Sequence, residues 1–206
     1  MGEEVSIKWL GGEFYFYFHT RDCVLGPMEK YLSFLAGRPN LNFLEIGSCE
    51  GQSTLWFLKT ILTHPTSKIT CIDPHVEDPN NWYHKPTNPQ RLRTTKTTYE
   101  VFKSNILNKY GEKVTHCRDK SWKVLSTLES KFDLIYVDGS HNFPDIYIDG
   151  KFSMPLLKED GIIMFDDYWE MEDCQVFQAV NSLRKDKIIT NEKILNSKGV
   201  LILSKR

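Results

Sequence analysis

Three carboxylates and one histidine stand at the ends of two apolar runs in the second half of the chain. The run LIYV ends in Asp138, the run GIIMF ends in Asp166 and Asp167, and His141 follows Asp138 within the tetrapeptide DGSH. Carboxylates that lie close together repel one another, and a hard divalent cation such as Mg²⁺ or Mn²⁺ relieves this repulsion. The pattern therefore predicts a site that binds one such cation through Asp138, Asp166 and Asp167.

Each of these residues also has a purely structural explanation. Asp138–Gly139 could form a simple turn, and Asp166–Asp167 could cap a helix that starts near Glu172. His141 could cap the turn after it, although a side chain that titrates near neutral pH also suits catalysis. The residues leave two functional roles open for His141, general base and fourth metal ligand. Among the other acids, Asp133 and Asp149 are expected at the surface or in caps, and Asp145 could reach the substrate.

A glycine-containing loop, FLEIGSCEGQS, follows an earlier predicted strand and precedes a helix. Gly47 and Gly51 allow a tight turn and a close approach of the backbone to a ligand, and Glu45 suits a cationic ligand. The next strand ends in Asp73, about twenty residues further on, where an acid can accept both hydroxyls of a ribose. This combination favours an adenosine-containing ligand, although two glycines can also serve a turn and Asp73 can cap one before Pro74.

The elements that hold these residues follow from the order of apolar runs along the chain. Short predicted strands alternate with stretches of helical spacing, which is typical of βαβ units and a mainly parallel sheet. The last two runs, KIIT and GVLILS, are predicted to form an antiparallel hairpin, which brings the sheet to about seven strands. The carboxyl ends of such strands share one edge, where ligands bind. A helix is predicted to open at Pro27, with Met28, Tyr31, Leu32 and Leu35 on one face.

The 206 residues are expected to form one α/β domain. Residues 1–26, which contain EFYFYFHT, are interpreted as an N-terminal strand or aromatic lid over the substrate. Residues 74–97 interrupt the alternation with four prolines and no period. Loops this long are often functional, so we interpret this segment as an insertion near the active site, with a disordered loop as the alternative.

Composition excludes several classes of function. The net charge of −1 provides no basic field for nucleic acid, and no apolar run is long enough to span a membrane. The acidic N-terminus does not resemble a secretory signal. The five cysteines are scattered without a CxxC pair, so a reducing, cytoplasmic location is expected.

The segments LEIGSCEGQST, CIDPH and FDLIYVDGSH…LLKEDGIIMFDDYW, in this order and spacing, resemble class I S-adenosylmethionine-dependent methyltransferases. The resemblance runs from about Pro27 to the C-terminus. Within that class the chain is most similar to metal-dependent O-methyltransferases, which include enzymes that act on sugars and glycosylated natural products. Catechol methyltransferases are more distant relatives. The resemblance implies a Rossmann-like fold with an antiparallel last strand, and S-adenosylmethionine as cofactor.

The resemblance also implies roles for individual residues in the cofactor site. The methionine end of the cofactor is expected to be lined by Glu45, Gly47, Ser48 and Gly51. The N-terminus of the following helix is expected to bring Gln52 and Ser53 close to it. Asp73 is expected to hold the ribose. Ser121 and Trp122 fall where relatives contact the adenine, although Asp119 stands where many relatives have a small residue.

For the reaction itself, the resemblance implies that Asp138, Asp166 and Asp167 bind Mg²⁺ or Mn²⁺ beside the acceptor hydroxyl. Catechol enzymes carry asparagine in place of Asp167 and a lysine base in place of His141. Some sugar-modifying relatives carry an aspartate where this chain has Ser140. These departures leave the base open, with His141 as the expected one.

The resemblance implies a hydroxyl of a sugar or glycan as the acceptor, and the polar residues among the aromatic ones at the predicted mouth of the site favour a hydroxyl-rich acceptor. The aromatic ones are Trp82, Tyr83, Phe143, Tyr168 and Trp169, and the polar ones are His84, Arg91, Arg93, Asn142 and Asp145. A phenolic or catechol-like acceptor is the alternative within this class. A non-catalytic module that binds S-adenosylmethionine and a metal-dependent hydrolase are alternatives outside it. The chain could also be one domain of a larger glycan-synthesising protein.

Overall fold

The computed structural model describes residues 6–9, 12–16, 22–76, 96–190 and 192–205. The strands are β1 Ser6–Trp9, β2 Gly12–Tyr15, β3 Asn42–Ile46, β4 Lys68–Ile72, β5 Val114–Cys117, β6 Phe132–Val137, β7 Leu157–Tyr168 and β8 Lys193–Ser204. The α-helices are α1 Asp22–Leu32, α2 Gln52–Trp56, α3 Thr98–Phe102, α4 Asn108–Tyr110, α5 Ser121–Leu125, α6 Phe143–Ser153 and α7 Gln175–Lys185. Two π-helical segments, Phe57–Ile61 and Lys103–Leu107, extend α2 and α3.

The main sheet has the strand order β5-β4-β3-β6-β7-β8. All neighbouring pairs are parallel except β7 and β8, which are antiparallel. This is the expected Rossmann-like arrangement, with the sheet order changing direction beside β3. The strands β1 and β2 form a separate antiparallel hairpin.

The predicted strand KIIT is wrong, so the main sheet of the described residues has six strands instead of seven. Its backbone N–H groups cap α7, because those of Ile188 and Ile189 both donate to the carbonyl of Leu183, at 2.9 and 3.3 Å. Lys187 has φ of +58°, which interrupts any extended conformation. The antiparallel partner of β7 is β8 alone, which includes residues that were expected to form the turn of the hairpin.

The first helix also differs from its predicted start. It begins at Asp22, and Pro27 lies inside it. The predicted apolar face is confirmed, since Met28, Leu32 and Leu35 are buried and Tyr31 packs against the same core.

Two apolar layers cover the two faces of the main sheet. Alternation along β6 sends Leu134 and Tyr136 into the layer beneath α1 and α2, and Ile135 and Val137 into the layer beneath α6 and α7. Within the described residues, no helix combines the length and apolar character needed to cross a bilayer.

The carboxyl ends of three strands are held level at one edge of the sheet. The N–H of Gly47, after β3, donates to the carbonyl of Ile72 at 2.8 Å, and that of Asp138, after β6, donates to Ile46 at 2.8 Å. The N–H of Asp73 donates to Cys117 at 3.1 Å. The expected ligand-binding residues Gly47, Asp73 and Asp138 therefore lie at the same edge.

Gly47 is required where the loop after β3 touches the loop after β6. Its φ is +88°, and a Cβ at this position would lie 1.9 Å from the carbonyl oxygen of Asp138. The obstacle is backbone, which cannot rotate away as a side chain can.

We expect Gly47→Ala to destabilise the fold by more than ~3 kcal/mol, because steric overlap adds to the strain of a positive φ. Urea denaturation measures this loss. Gly37→Ala is the matched control, since Gly37 also has positive φ, +73°, but its added Cβ would meet only Thr63 Oγ1 at 3.6 Å. Equal losses for the two variants would show that the contact with Asp138 is unimportant.

Candidate active site

A β-bulge explains how two consecutive acids reach the same site. Successive residues of a regular strand point to opposite faces. The pairing of β7 with β8 shifts between Asp166 and Tyr168, and Asp167 has φ of +50°. This bulge reorients the strand end, so Asp166 and Asp167 both approach His141.

The structure places His141 close to the acids at the ends of β6 and β7. Nε2 of His141 lies 3.6 Å from Asp138 Oδ1 and 3.8 Å from Asp167 Oδ2. One potential ligand atom from each of Asp138, His141 and Asp166 lies within 4.8 Å of the other two. Asp167 is not part of this set of three residues, although its carboxylate lies near His141.

The electrostatics of this cluster are those of crowded, buried carboxyl groups. Burial raises the pKa of Asp138 well above its usual range, and the negative charges of Glu45 and Asp167 raise it further. Burial likewise raises the pKa of Asp166, with the charges of Asp138 and Asp167 adding to the effect. The two carboxyl groups are therefore costly to ionise together unless a positive charge lies between them.

The residues present fit a hard divalent cation. Nε2 of His141 and Oδ1 of Asp166 are both buried and have no hydrogen-bond partner. Buried polar atoms normally have partners, so two such atoms in one cluster of oxygen and imidazole donors suit a metal ion.

The loop between β3 and α2 is stabilised by Asp73. Oδ2 of Asp73 accepts from the N–H of Cys49 at 2.8 Å, and Oδ1 accepts from the N–H of His75 at 2.7 Å. Cys49 and Gly51 have φ of +44° and +86°, so this loop turns sharply before the helix. Asp73 thereby links the end of β4 to the glycine loop at the edge where a ribose is expected.

Glu45 lies in the interior, between the end of β3 and the start of α2. It is fully buried, and its carboxyl accepts hydrogen bonds from Ser53 Oγ at 2.5 Å, from Thr54 Oγ1 and from Cys71 Sγ at 3.5 Å. Burial raises its pKa to about 7, although the hydroxyl donors oppose this. In this structure, Glu45 and Ser53 join β3 to the start of α2.

The remaining expected cofactor residues surround this loop and the start of α5. Ser48 is buried, and its hydroxyl has no hydrogen-bond partner, while Gln52 is half-buried at the start of α2. Ser121 begins α5, and the adjacent Trp122 is 47% exposed. An exposed indole is available for contact with a flat ring.

Asp149 is a residue whose position the sequence did not indicate. It is 2% exposed on α6, so the expectation of a surface or capping residue is wrong. Its Oδ1 has no partner, and burial raises the pKa of its carboxyl to about 7, against a hydrogen bond from Ser121. The second carboxylate oxygen lies behind Gly139, 3.5 Å from where a Cβ would stand. Asp149 thus connects α6 to the start of α5 and to the DGSH turn.

The aromatic residues of the predicted mouth divide into three cases. Tyr168 is buried against Phe177, at 5.8 Å between ring centroids, so it belongs to the core and not to the mouth. Trp169 is 38% exposed next to the bulge, and Phe143 stacks on Tyr147 at 6.3 Å. Five of the expected mouth residues fall outside the described residues, namely Trp82, Tyr83, His84, Arg91 and Arg93.

The comparisons with known proteins agree with this architecture. The model of a family described as a methyltransferase domain matches residues 44–168, from β3 through the end of β7. The chain belongs to this family. The matched stretch of the methyltransferase domain contains the glycine loop, Asp73, Asp138 and the Asp166–Asp167 pair.

Similar structures share the fold across most of the methyltransferase domain. An O-methyltransferase from Bacillus cereus, solved with S-adenosylhomocysteine, is 13% identical with a TM-score of 0.57, covering 90% of this chain and 82% of that one. TomG, the O-methyltransferase of tomaymycin synthesis from Streptomyces achromogenes, solved with S-adenosylmethionine, is 16% identical with a TM-score of 0.51, covering 90% of both chains. An uncharacterised protein of Acanthamoeba polyphaga mimivirus is 24% identical over 88% of this chain and 73% of its own.

We expect Asp149→Asn to stabilise the domain more at pH 8 than at pH 5. The folded-state pKa of about 7 exceeds the usual value of 3.8, so the folded state holds more protons between these values. Stability is therefore lost as the pH rises through this window, and asparagine, which cannot ionise, avoids the loss. Urea denaturation at the two pH values should show a relative gain of ~1–3 kcal/mol at pH 8. Asp173→Asn, at an exposed position, is the control. Equal gains in stability for Asp149→Asn at both pH values would contradict the raised pKa of Asp149.

Proposed function

We propose that this domain is an S-adenosylmethionine-dependent O-methyltransferase that uses Mg²⁺ or Mn²⁺ to methylate a hydroxyl of a sugar or glycan. The observation that carries the proposal is the convergence of Asp138, His141 and Asp166, with two unpartnered ligand atoms, directly beside the glycine loop. A module that only bound the cofactor would not need this cluster. The structural neighbours solved with S-adenosylmethionine or S-adenosylhomocysteine support the choice of cofactor.

The glycine loop and Asp73 would hold the cofactor. Both oxygens of Asp73 already accept one backbone N–H each, which fixes the carboxylate while leaving lone pairs for the two ribose hydroxyls. Gly47, Ser48 and Gly51 would line the methionine end, and Gln52 and Ser53 would approach it from the start of α2. Ser121 and Trp122 would contact the adenine.

Asp138 and Asp166 would hold the cation, with Asp167 at its outer side. When bound, the cation would lower the pKa of the acceptor hydroxyl and orient it towards the methyl group. The close contact between Gly47 and the backbone of Asp138 would limit the distance between a cofactor in the loop and an acceptor beside Asp138, and in-line transfer tolerates little misplacement.

His141 would take the proton of the acceptor hydroxyl as the methyl group is transferred. Its Nε2 has no hydrogen-bond partner and faces Asp138 and Asp167, whose negative charges would stabilise the imidazolium that forms. The same nitrogen is close enough to the carboxylates to serve as a metal ligand, so the two roles need separate tests.

The acceptor assignment depends on the polarity of the surface near His141. Trp169 offers an exposed aromatic face, and Asn142 and Asp145 at the start of α6 offer hydrogen-bonding groups. Sugars combine apolar C–H faces with many hydroxyls and so match both features. Assays with glycosides and catechols, each with Mn²⁺, Mg²⁺ or EDTA, separate a sugar acceptor from a phenolic one.

We expect Asp166→Ala to abolish methyl transfer while S-adenosylhomocysteine still binds with wild-type affinity, because the variant removes a metal ligand and leaves the glycine loop and Asp73 intact. Isothermal titration calorimetry and a turnover assay measure the two properties. Asp173→Ala, a change at an exposed acid after β7, should alter neither. Full activity of Asp166→Ala in the presence of EDTA would show that the metal mechanism is wrong.

His141→Ala should lower kcat roughly 10²- to 10⁴-fold with unchanged Mn²⁺ affinity if the residue is the general base. The pH dependence of kcat should then lose its limb near neutral pH. A large loss of Mn²⁺ affinity instead would make His141 a ligand. A variant with wild-type rate at every pH would return His141 to a turn-capping role.

A further inference from the structure

Tyr136 lies directly beneath the candidate metal site and is not explained by core packing alone. It is fully buried on β6, two residues before Asp138, so both side chains point to the same face of the sheet. Its ring packs edge-on against Phe57 at 5.9 Å. An apolar ring would satisfy this contact equally well, which leaves the hydroxyl without a packing role.

The hydroxyl of Tyr136 is surrounded by carboxyl groups. Tyr136 is opposite Glu45 on β3 and opposite Met164 on β7, which places Asp166 two residues further along the same face. The negative charges of Asp138, Asp166 and Glu45 all act on this hydroxyl. In this structure it makes no well-aligned hydrogen bond, and neither does Oδ1 of Asp166.

Buried polar atoms normally form hydrogen bonds, so the Tyr136 hydroxyl and Oδ1 of Asp166 are expected to have partners when the site is occupied. A buried hydroxyl without a partner costs about 1–3 kcal/mol. A carboxylate that binds a cation is ionised, and an ionised carboxylate is a stronger hydrogen-bond acceptor than a neutral one. Glu45 already accepts from Ser53, Thr54 and Cys71, so the acceptors left for Tyr136 are Asp138 and Asp166.

We propose that Tyr136 is a positioning residue of the metal site, whose single hydroxyl proton is donated to a carboxylate oxygen of Asp138 or Asp166 and so orients that carboxylate for the cation. This inference rests on the metal site of the proposed function. It assigns Tyr136 no contact with the cation, the cofactor or the acceptor. Groups that orient metal ligands in this way typically contribute 10- to 100-fold to metal affinity.

The test is Tyr136→Phe, which keeps the ring against Phe57 and removes only the hydroxyl. We expect the Kd for Mn²⁺, measured by calorimetry without cofactor, to rise about 10- to 100-fold. The affinity for S-adenosylhomocysteine should remain that of the wild type. The melting temperature without metal should be unchanged or slightly higher, because an unsatisfied buried hydroxyl is removed. A merely structural role would lower the melting temperature and leave the Mn²⁺ affinity of the folded variant unchanged.

Tyr147→Phe is the matched control, since it removes a tyrosine hydroxyl that donates to Asp186 at 2.7 Å, on a part of α6 away from the acid cluster. It should leave Mn²⁺ affinity unchanged. Wild-type Mn²⁺ affinity in Tyr136→Phe would overturn this inference and leave the metal site intact. If the wild-type protein did not bind Mn²⁺, the metal site itself would be wrong, and the inference with it. If Tyr136→Phe did not fold, Tyr136 would be shown to act through the core, which also overturns the inference.

Discussion

The contact between Gly47 and the carbonyl of Asp138 is the constraint on which the arrangement of the site depends. It fits the glycine loop after β3 against the strand end that carries Asp138, with no space even for a methyl group. Hydrogen bonds from Gly47 to β4 and from Asp138 to β3 hold the same edge level. A methyl donor in the loop and an acceptor beside the acids would therefore meet at a distance fixed by backbone, which is much stiffer than side chains.

Several acids whose ionised form is destabilised by burial lie around this contact. Glu45, Asp138, Asp149 and Asp166 all have a pKa raised by burial. Hydroxyl donors offset part of the cost for Glu45, and Ser121 offsets part of it for Asp149. Asp138 and Asp166 differ from Glu45 and Asp149 because they lie together with His141 in one cluster of potential metal ligands, and clusters of acids with perturbed pKa values are characteristic of functional sites.

The fold and the chemistry of the site carry different information about function. The methyltransferase family and the structural neighbours establish the scaffold, which many different acceptors share. Reaction type and acceptor depend instead on the residues that each chain places at the strand ends. In this chain these are three acids, a histidine at the position after DGS and an exposed tryptophan, a set that suits hydroxyl activation.

The sequence by itself determined the parallel sheet, the glycine loop and the candidate metal residues, because apolar periodicity and polar residues at strand ends are local signals. Only the tertiary structure decided that KIIT caps α7, that Tyr168 is core and that Asp149 is buried, since each depends on packing between distant segments. The bulge at Asp167 is likewise a tertiary feature, because it consists of a shift in the pairing of β7 with β8, which is distant in sequence. The sequence thus indicated which groups could do chemistry, and the tertiary structure determined which of them meet and which are left without partners.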